Sequence, residues 1–296
     1  MMRTSVVCLF LLAAMVSAQD MPLSQVLIPG EGWRAVDPKL TVACITADGE
    51  GNLLIAGGKE APIWLLTKGS LKVFAKKASV TRMCWSPKGY LLTLEKDAIY
   101  RRNDNGEVKK LLSEAKFPFD IAVSPTGDIY FTDIAPFPQN PGSRARICIY
   151  QVGGDGLPSL IEMEETAGMV FWRDGGTLVI GNPVAGALNA FRVGKDGGLD
   201  AEEEYYKLRT RRRSSSKVIS LTLDADGRLY AATTEGVQVF DPTGRLCGVI
   251  NAPARAAVTA LAFAGPDRDL LYVVCGGKLY ARKTKIKGFV PAKKAK

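Results

Sequence analysis

From residue 43 onward the chain alternates short apolar runs with polar turns, and one unit returns six times. The unit is an apolar strand, a tight Gly-containing turn, a second apolar strand, a short break and a third strand. Its first copy runs Ala43-Cys44-Ile45, Asp48-Gly49-Glu50-Gly51-Asn52, Leu53-Leu54-Ile55-Ala56. The later copies open on Met83-Cys84-Trp85, Ile121-Ala122-Val123, Met169-Val170-Phe171, Leu221-Thr222-Leu223 and Leu261-Ala262-Phe263. Third strands are legible as Ala98-Ile99-Tyr100, Ile147-Cys148-Ile149-Tyr150, Leu188-Asn189-Ala190-Phe191, Val237-Gln238-Val239-Phe240 and Lys278-Leu279-Tyr280-Ala281.

The turn residues Gly51, Gly89, Gly127, Gly176 and Gly227 recur at intervals of roughly 40 to 50 residues, the size of a propeller blade. Such hairpin turns need a residue at positive φ, which glycine adopts without strain. The pattern predicts an all-β fold: a six-bladed β-propeller in which each blade is a four-stranded antiparallel sheet. A two-sheet sandwich would not explain six copies of one unit. The sixth copy lacks an outer strand, and Ser24-Gln25-Val26-Leu27-Ile28 is expected to supply it, so that an N-terminal strand closes the last blade and removes an exposed edge.

The ends of the chain read differently. Arg3, the apolar run Ser5 to Met15 and the small-residue exit Val16-Ser17-Ala18 have the order of a secretory signal peptide. The run is shorter than the roughly 20 apolar residues that span a bilayer. The expected organisation is a signal peptide over 1–18, the propeller over 19–291 and a basic tail over 292–296. This predicts an exported protein, periplasmic or extracellular, with no transmembrane segment after cleavage.

Composition narrows the chemistry. The chain has no histidine, which excludes Ser-His-Asp and Cys-His nucleophile systems and His-ligated zinc. Its net charge of +9 favours anionic partners, and no nucleic-acid-binding motif is present. Once Cys8 leaves with the signal, Cys44, Cys84, Cys148, Cys247 and Cys275 remain, all within apolar strand patterns that suit small buried hydrophobes. The odd number leaves at least one outside any intrachain disulfide. Trp33, Trp64, Trp85 and Trp172 read as packing between blades. The acidic runs Glu162 to Glu165 and Glu202 to Glu204 read as solvated surface, because burying unpaired carboxylates costs too much.

The stretch from Leu221 to Gly288 resembles the senescence-marker-protein, regucalcin and gluconolactonase family. Its key phrases are Leu223-Asp224-Ala225-Asp226-Gly227-Arg228-Leu229-Tyr230, Val237-Gln238-Val239-Phe240-Asp241-Pro242 and Val258 to Asp267, with Phe131-Thr132-Asp133 and Lys285-Ile286-Lys287-Gly288 in support. The resemblance implies a six-bladed propeller that hydrolyses sugar lactones with one divalent cation in its central channel. In that family a first-blade Glu, a fourth-blade Asn and a fifth-blade Asp hold the cation, and a third-blade Asn faces it. The cation would polarise the lactone carbonyl and a water, while a carboxylate takes the proton.

Carried over residue by residue, those roles fall on Val42 or Ala43, on Phe119 of Pro118-Phe119-Asp120, on Ala167 of Ala167-Gly168, and on Ile219. All are apolar. The expectation is therefore a gluconolactonase-like propeller without the metal site or a bound cofactor, acting as a ligand-binding or scaffold module. The alternative is a divergent sugar-lactone hydrolase with a rebuilt site, in which Ca²⁺ or another divalent cation would return. Asp120 is the one candidate catalytic residue. Arg82, Phe119 and Asp120 are candidate ligand contacts for a small molecule, sugar or carboxylate, or alternatively a structural ion pair. Arg209, Arg211, Arg212 and Arg213 form a candidate anion-binding loop, with a solvated loop as the other reading.

Overall fold

The computed structural model describes residues 22–37, 39–112, 118–137, 140–150, 159–163, 167–210 and 217–290, with side chains left undescribed between 134 and 163. Residues 1–18, where a signal peptide is expected, Arg211, Arg212, Arg213, Glu164, Glu165 and residues 292–296 lie outside the described residues, as do the side chains of Cys148 and Glu162.

The described strands form six four-stranded antiparallel sheets. A two-residue strand, β1 (Arg34–Ala35), comes first. The first sheet holds β2 (Cys44–Ala47), β3 (Leu53–Ala56), β4 (Ala61–Thr67) and β5 (Ser70–Ala78). The second holds β6 (Arg82–Ser86), β7 (Tyr90–Glu95), β8 (Ala98–Arg102) and β9 (Val108–Leu112). The third holds β10 (Pro118–Val123), β11 (Ile129–Phe137), β12 (Asn140–Tyr150) and β13 (Ser159–Met163). The fourth holds β14 (Met169–Phe171), β15 (Thr177–Asn182), β16 (Ala187–Val193) and β17 (Leu199–Lys207). The fifth holds β18 (Ser220–Leu223), β19 (Leu229–Thr233), β20 (Gly236–Phe240) and β21 (Leu246–Ile250). The sixth is β22 (Val258–Ala264), β23 (Leu270–Cys275) and β24 (Lys278–Lys283), completed by β1.

Each copy of the sequence repeat thus becomes one sheet, and the sheets pack as a β-propeller. The strand period of two explains why every blade is apolar on both faces. Ile121 faces the second sheet, packing with Leu92 and Leu94, while its neighbour Ala122 faces the fourth, packing with Met169 and Phe171. The same arrangement recurs between every consecutive pair of sheets, and Ile45, Leu53 and Ile55 meet Ala260, Ala262 and Tyr272 where the sixth sheet returns to the first. Trp33, Trp64, Trp85 and Trp172 all pack at the edges of these interfaces.

Two details differ from the sequence reading. The N-terminal strand that completes the sixth sheet is Arg34–Ala35, paired with Ala281 and Tyr280, rather than Ser24 to Ile28. Leu23–Gln25 forms a short 3-10 turn, and Leu27 makes only an isolated bridge to Thr284. The reason is packing: a helical turn aims Leu23 and Val26, three residues apart, at the same cluster of Tyr230, Val237, Ile250 and Val258, whereas a strand would send them to opposite faces. In the fourth sheet, the turn glycine at positive φ is Gly175 rather than Gly176.

Two local features hold the ring together. At the seam between first and sixth sheets, Gly51 sits at φ 87° and accepts a hydrogen bond from the Gly265 N–H at 2.8 Å. A Cβ there would lie 2.5 Å from the Gly265 carbonyl oxygen. In the fifth sheet, fully buried Asp224 accepts from the Arg228 backbone N–H at 2.8 Å, the Arg228 guanidinium at 3.0 Å and the Tyr230 hydroxyl at 2.9 Å. The Arg228 guanidinium also reaches Gln25, tying the N-terminal turn to this blade.

Gly51→Ala combines a left-handed backbone that costs about 1–2 kcal/mol with a backbone clash, so urea denaturation is expected to show a loss of at least that size. Asp224→Ala leaves the Arg228 guanidinium with Asp226, 2.8 Å away, but unpairs the buried Tyr230 hydroxyl and the turn N–H groups, and is expected to cost about 1–3 kcal/mol in the same measurement. Losses under about 0.5 kcal/mol would remove these groups from the account of stability.

Candidate functional site at the channel mouth

The inner strands of the six sheets begin around one end of the ring, and their ladders fix which residues are equivalent. The first regular pairs are Cys44 with Ala56, Arg82 with Leu94, Asp120 with Thr132, Met169 with Ile180, Ser220 with Ala232, and Ala260 with Val274. The preceding positions are Ala43, Thr81, Phe119, Gly168, Ile219 and Thr259. The ladder therefore chooses Ala43 over Val42 for the first blade and shifts the fourth-blade position from Ala167 to Gly168. Val42 and Ala167 are buried in the interfaces with the sixth and fifth sheets.

None of these six positions carries a carboxylate or amide side chain. The Thr81 hydroxyl donates to the Leu94 carbonyl at 3.1 Å and that of Thr259 to the Val274 carbonyl at 3.5 Å, so both are turned onto their own sheets. Gly168 is required by close approach: its Cβ would lie 2.8 Å from the Ser220 backbone.

The structure brings Arg82, Phe119 and Asp120 together. Strand alternation places Arg82 on the same face as Cys84, toward the third sheet, and Asp120 on the same face as Ala122, toward the fourth. A register shift between Pro118 and Asp120 leaves Phe119 as the extra residue of a bulge. The Arg82 guanidinium lies over the Phe119 ring at 5.2 Å, and its Nη1 donates to the Thr81 carbonyl at 2.9 Å. Its Nε is 4.0 Å from Asp120 Oδ1 and, though buried, has no hydrogen-bond partner among the described residues.

Asp120 Oδ2 accepts the backbone N–H of Met169 in the next blade at 2.7 Å, while its own N–H donates to Thr132 Oγ1 at 3.1 Å. One carboxylate therefore spans three inner strands: β10 carries it, β6 supplies the cation beside it and β14 supplies the N–H. Burial pushes the Asp120 carboxyl up to about 6, with nearby Arg82 and the Met169 N–H pulling in the opposite direction. Burial likewise pushes the Cys44 and Cys84 thiols up to about 12, so neither is a thiolate nucleophile near neutral pH. Cys44, Cys84, Cys247 and Cys275 are free thiols.

The other candidate, the arginine run, begins away from this group. The Gln238 amide holds the Arg209 peptide at both ends, accepting from its N–H and donating to its carbonyl, each at 2.8 Å. Arg209 is exposed, and Glu235 and Asn251 share a small cavity with it. The acidic residues Glu202, Glu203 and Glu204 lie on the outer strand β17 and are exposed.

Sequence reasoning missed two features. The first is a buried Arg102 guanidinium paired with Glu95 and Thr93 in the second sheet. A charge at the end of each of two adjacent strands was its only sequence trace. The second is a cleft beside the fourth sheet. Its aromatic residues were visible, but two bulges that set their direction were not.

The fold and the ring of inner-strand ends define a β-propeller of four-stranded antiparallel sheets. A model of the SMP-30/gluconolactonase/LRE-like region matches residues 38–276, and the chain belongs to that family. Among solved structures it is similar to a gluconolactonase from Xanthomonas campestris, at 19% identity and TM-score 0.74, covering 88% of this chain and 92% of that one. It is also similar to a calcium-binding protein, regucalcin, from Agrobacterium tumefaciens, at 18% identity and TM-score 0.70, covering 90% and 98%. A luciferin-regenerating enzyme matches at 15% identity and TM-score 0.68, covering 89% and 100%. At these identities the likeness is one of fold. No match is found among curated proteins.

The raised carboxyl of Asp120 sets a pH dependence. A group whose pKa is higher folded than unfolded contributes stability below its unfolded pKa, here about 4, and loses it as pH rises through its folded pKa of about 6. Relative to Asp120→Asn, the wild-type chain is expected to lose on the order of 2 kcal/mol between pH 4 and pH 7 in urea titrations. A difference that stays flat across that range would contradict the assignment.

Proposed function

We propose that this protein is an exported, six-bladed, gluconolactonase-like propeller that binds a ligand at its channel mouth without the divalent-cation chemistry of its family. The observation that carries this reading is the commitment of Asp120 to Arg82 and the Met169 N–H, on a ring whose corresponding positions are Ala43, Phe119, Gly168 and Ile219. A hard cation takes six to eight oxygen ligands for Ca²⁺ and a near-ideal octahedron for Mg²⁺. Among the described residues no group of three or more Cys, Asp and Glu side chains gathers to hold one. The residues present do not fit the cation.

They do suit a small anionic or hydroxylated ligand. The partly exposed Arg82 guanidinium, stacked on Phe119, offers charge to a carboxylate or to a sugar oxygen. The arginine run from Arg209 through Arg211, Arg212 and Arg213 supplies a second basic element for anions such as sulfated or phosphorylated polymers. Export rests on the signal-peptide pattern. No helix among the described residues is long and apolar enough to cross a membrane.

A second reading, a sugar-lactone hydrolase rebuilt around Asp120 and Arg82, has one observation in its favour. A carboxyl raised to about 6 is tuned toward general-base work near neutrality.

The two readings part in one experiment. Lactone hydrolysis is measured with and without divalent cations, alongside calorimetric Ca²⁺ titration. The expected result is no turnover above background and no saturable Ca²⁺ heat. Metal-dependent turnover that disappears in Asp120→Ala would overturn the binding-module reading in favour of the hydrolase. Heparin retention is expected to fall when Arg211, Arg212 and Arg213 are changed to Ala. Unchanged retention would remove the loop from the account.

A further inference from the structure

Away from the channel, a cleft of about 420 Å³ opens on the face of the fourth sheet that looks toward the fifth. This volume is within the range of small-molecule sites. Trp172, Tyr205 and Tyr206 form its aromatic walls, Pro242 of the next blade closes one side, and Arg192 and Glu203 stand at its polar edge.

The aromatic walls depend on irregularities in β17. Leu188 pairs with Tyr206 and Asn189 with Glu204, so Tyr205 is an extra residue in the outer strand. In a regular strand Tyr205 and Tyr206 would point to opposite faces. The bulge turns them toward each other, with ring centroids 4.8 Å apart in an edge-on arrangement. A second irregularity follows where Ala190 pairs with Glu203 but Arg192 with Asp200, leaving Ala201 and Glu202 opposite Phe191. Ala201 takes a left-handed backbone, φ 48°, to accommodate it. Two bulges in one outer strand reshape this face, and bulges commonly re-aim side chains at sites.

Tyr206 is buried and packs its ring on Phe240 at 5.3 Å and beside Trp172 at 6.4 Å, fixing the back wall. Tyr205 is 43% exposed and is steadied by its hydroxyl, which donates to the Pro242 carbonyl at 3.3 Å. The front wall is therefore an ordered aromatic ring facing solvent.

Charge selects the ligand. The Arg192 guanidinium is already engaged by Asp200, donating from Nε at 2.7 Å and Nη2 at 2.9 Å. Glu202 accepts from Asn189, and Glu204 pairs with Lys207. Glu203 makes no hydrogen bond or ion pair among the described residues, which leaves an exposed carboxylate lining the same cleft as Trp172 and Tyr205. Aromatic faces carry negative potential and attract cations, most strongly those that shed water readily.

We propose that this interblade cleft binds a small organic cation of the quaternary or methylated ammonium class. Trp172 and the exposed ring of Tyr205 take the cation, with buried Tyr206 behind them holding the wall in place, and Glu203 serves as its counter-ion. Any further part of the ligand has room in the remainder of the cleft.

The test is calorimetric titration of the full mature chain with choline and with its uncharged isostere 3,3-dimethylbutan-1-ol. Choline is expected to bind saturably and at least tenfold more tightly than the isostere, a difference of about 1.4 kcal/mol. Both Glu203→Gln and Tyr205→Leu are expected to weaken choline at least fivefold, with circular dichroism and thermal midpoints confirming that the variants remain folded. Lys68→Gln, remote from the cleft, is expected to leave the affinity unchanged. Equal affinity for choline and the isostere would overturn the proposal, as would absence of saturable choline binding. Binding of a neutral pyranoside that depends on Tyr205 but not on Glu203, in place of choline, would assign the cleft to a carbohydrate and overturn it equally. None of these outcomes bears on the channel reading, because the two sites share no residue.

Discussion

The contact on which the channel mouth depends is the hydrogen bond from the Met169 N–H to the Asp120 carboxylate, with Arg82 beside it. Inner strands of a propeller do not form ladders with each other, so their exposed backbone groups need partners of other kinds: here the Gly168 N–H donates to the Val218 carbonyl at 3.0 Å and the Met169 N–H to Asp120. Here Asp120 joins the second, third and fourth blades through a single group. A carboxylate already holding an N–H and facing a guanidinium has less negative charge to offer a metal.

Much of the architecture could be read from the sequence, because it rests on period-two alternation and recurring turn glycines. Gly51, Gly89, Gly127 and Gly227 all adopt positive φ. The N-terminal closure could not be read correctly. Ser24 to Ile28 has a strand-like composition, and only the pocket between Tyr230, Ile250 and Val258 shows why Leu23 and Val26 gain more by turning onto one face. The fourth-blade glycine was displaced by one residue because both Gly175 and Gly176 suit a tight turn, and local composition does not distinguish them.

The channel trio was legible for a physical reason: Arg82, Phe119 and Asp120 stand at equivalent strand starts, where the repeat itself supplies the alignment. What the repeat could not supply was the link to Met169, a backbone donor with no sequence signature. The cleft at Trp172 was hidden for a related reason. Regular alternation sends Tyr205 and Tyr206 apart, and only the bulge brings them onto one wall. Irregular backbone carries the information that pattern reading averages away, and both candidate sites lie beside a bulge.

The central claim is that Asp120, rather than a cation, organises the channel mouth. Amide hydrogen exchange at Met169, followed by NMR with millimolar calcium or with a chelator, tests it most directly. The account predicts that this N–H is protected equally in both conditions and that Asp120→Ala abolishes the protection while the blade cores remain protected. Protection that falls on chelation and returns with calcium would contradict it, because a metal ion would then be holding the strands that Asp120 is assigned to hold.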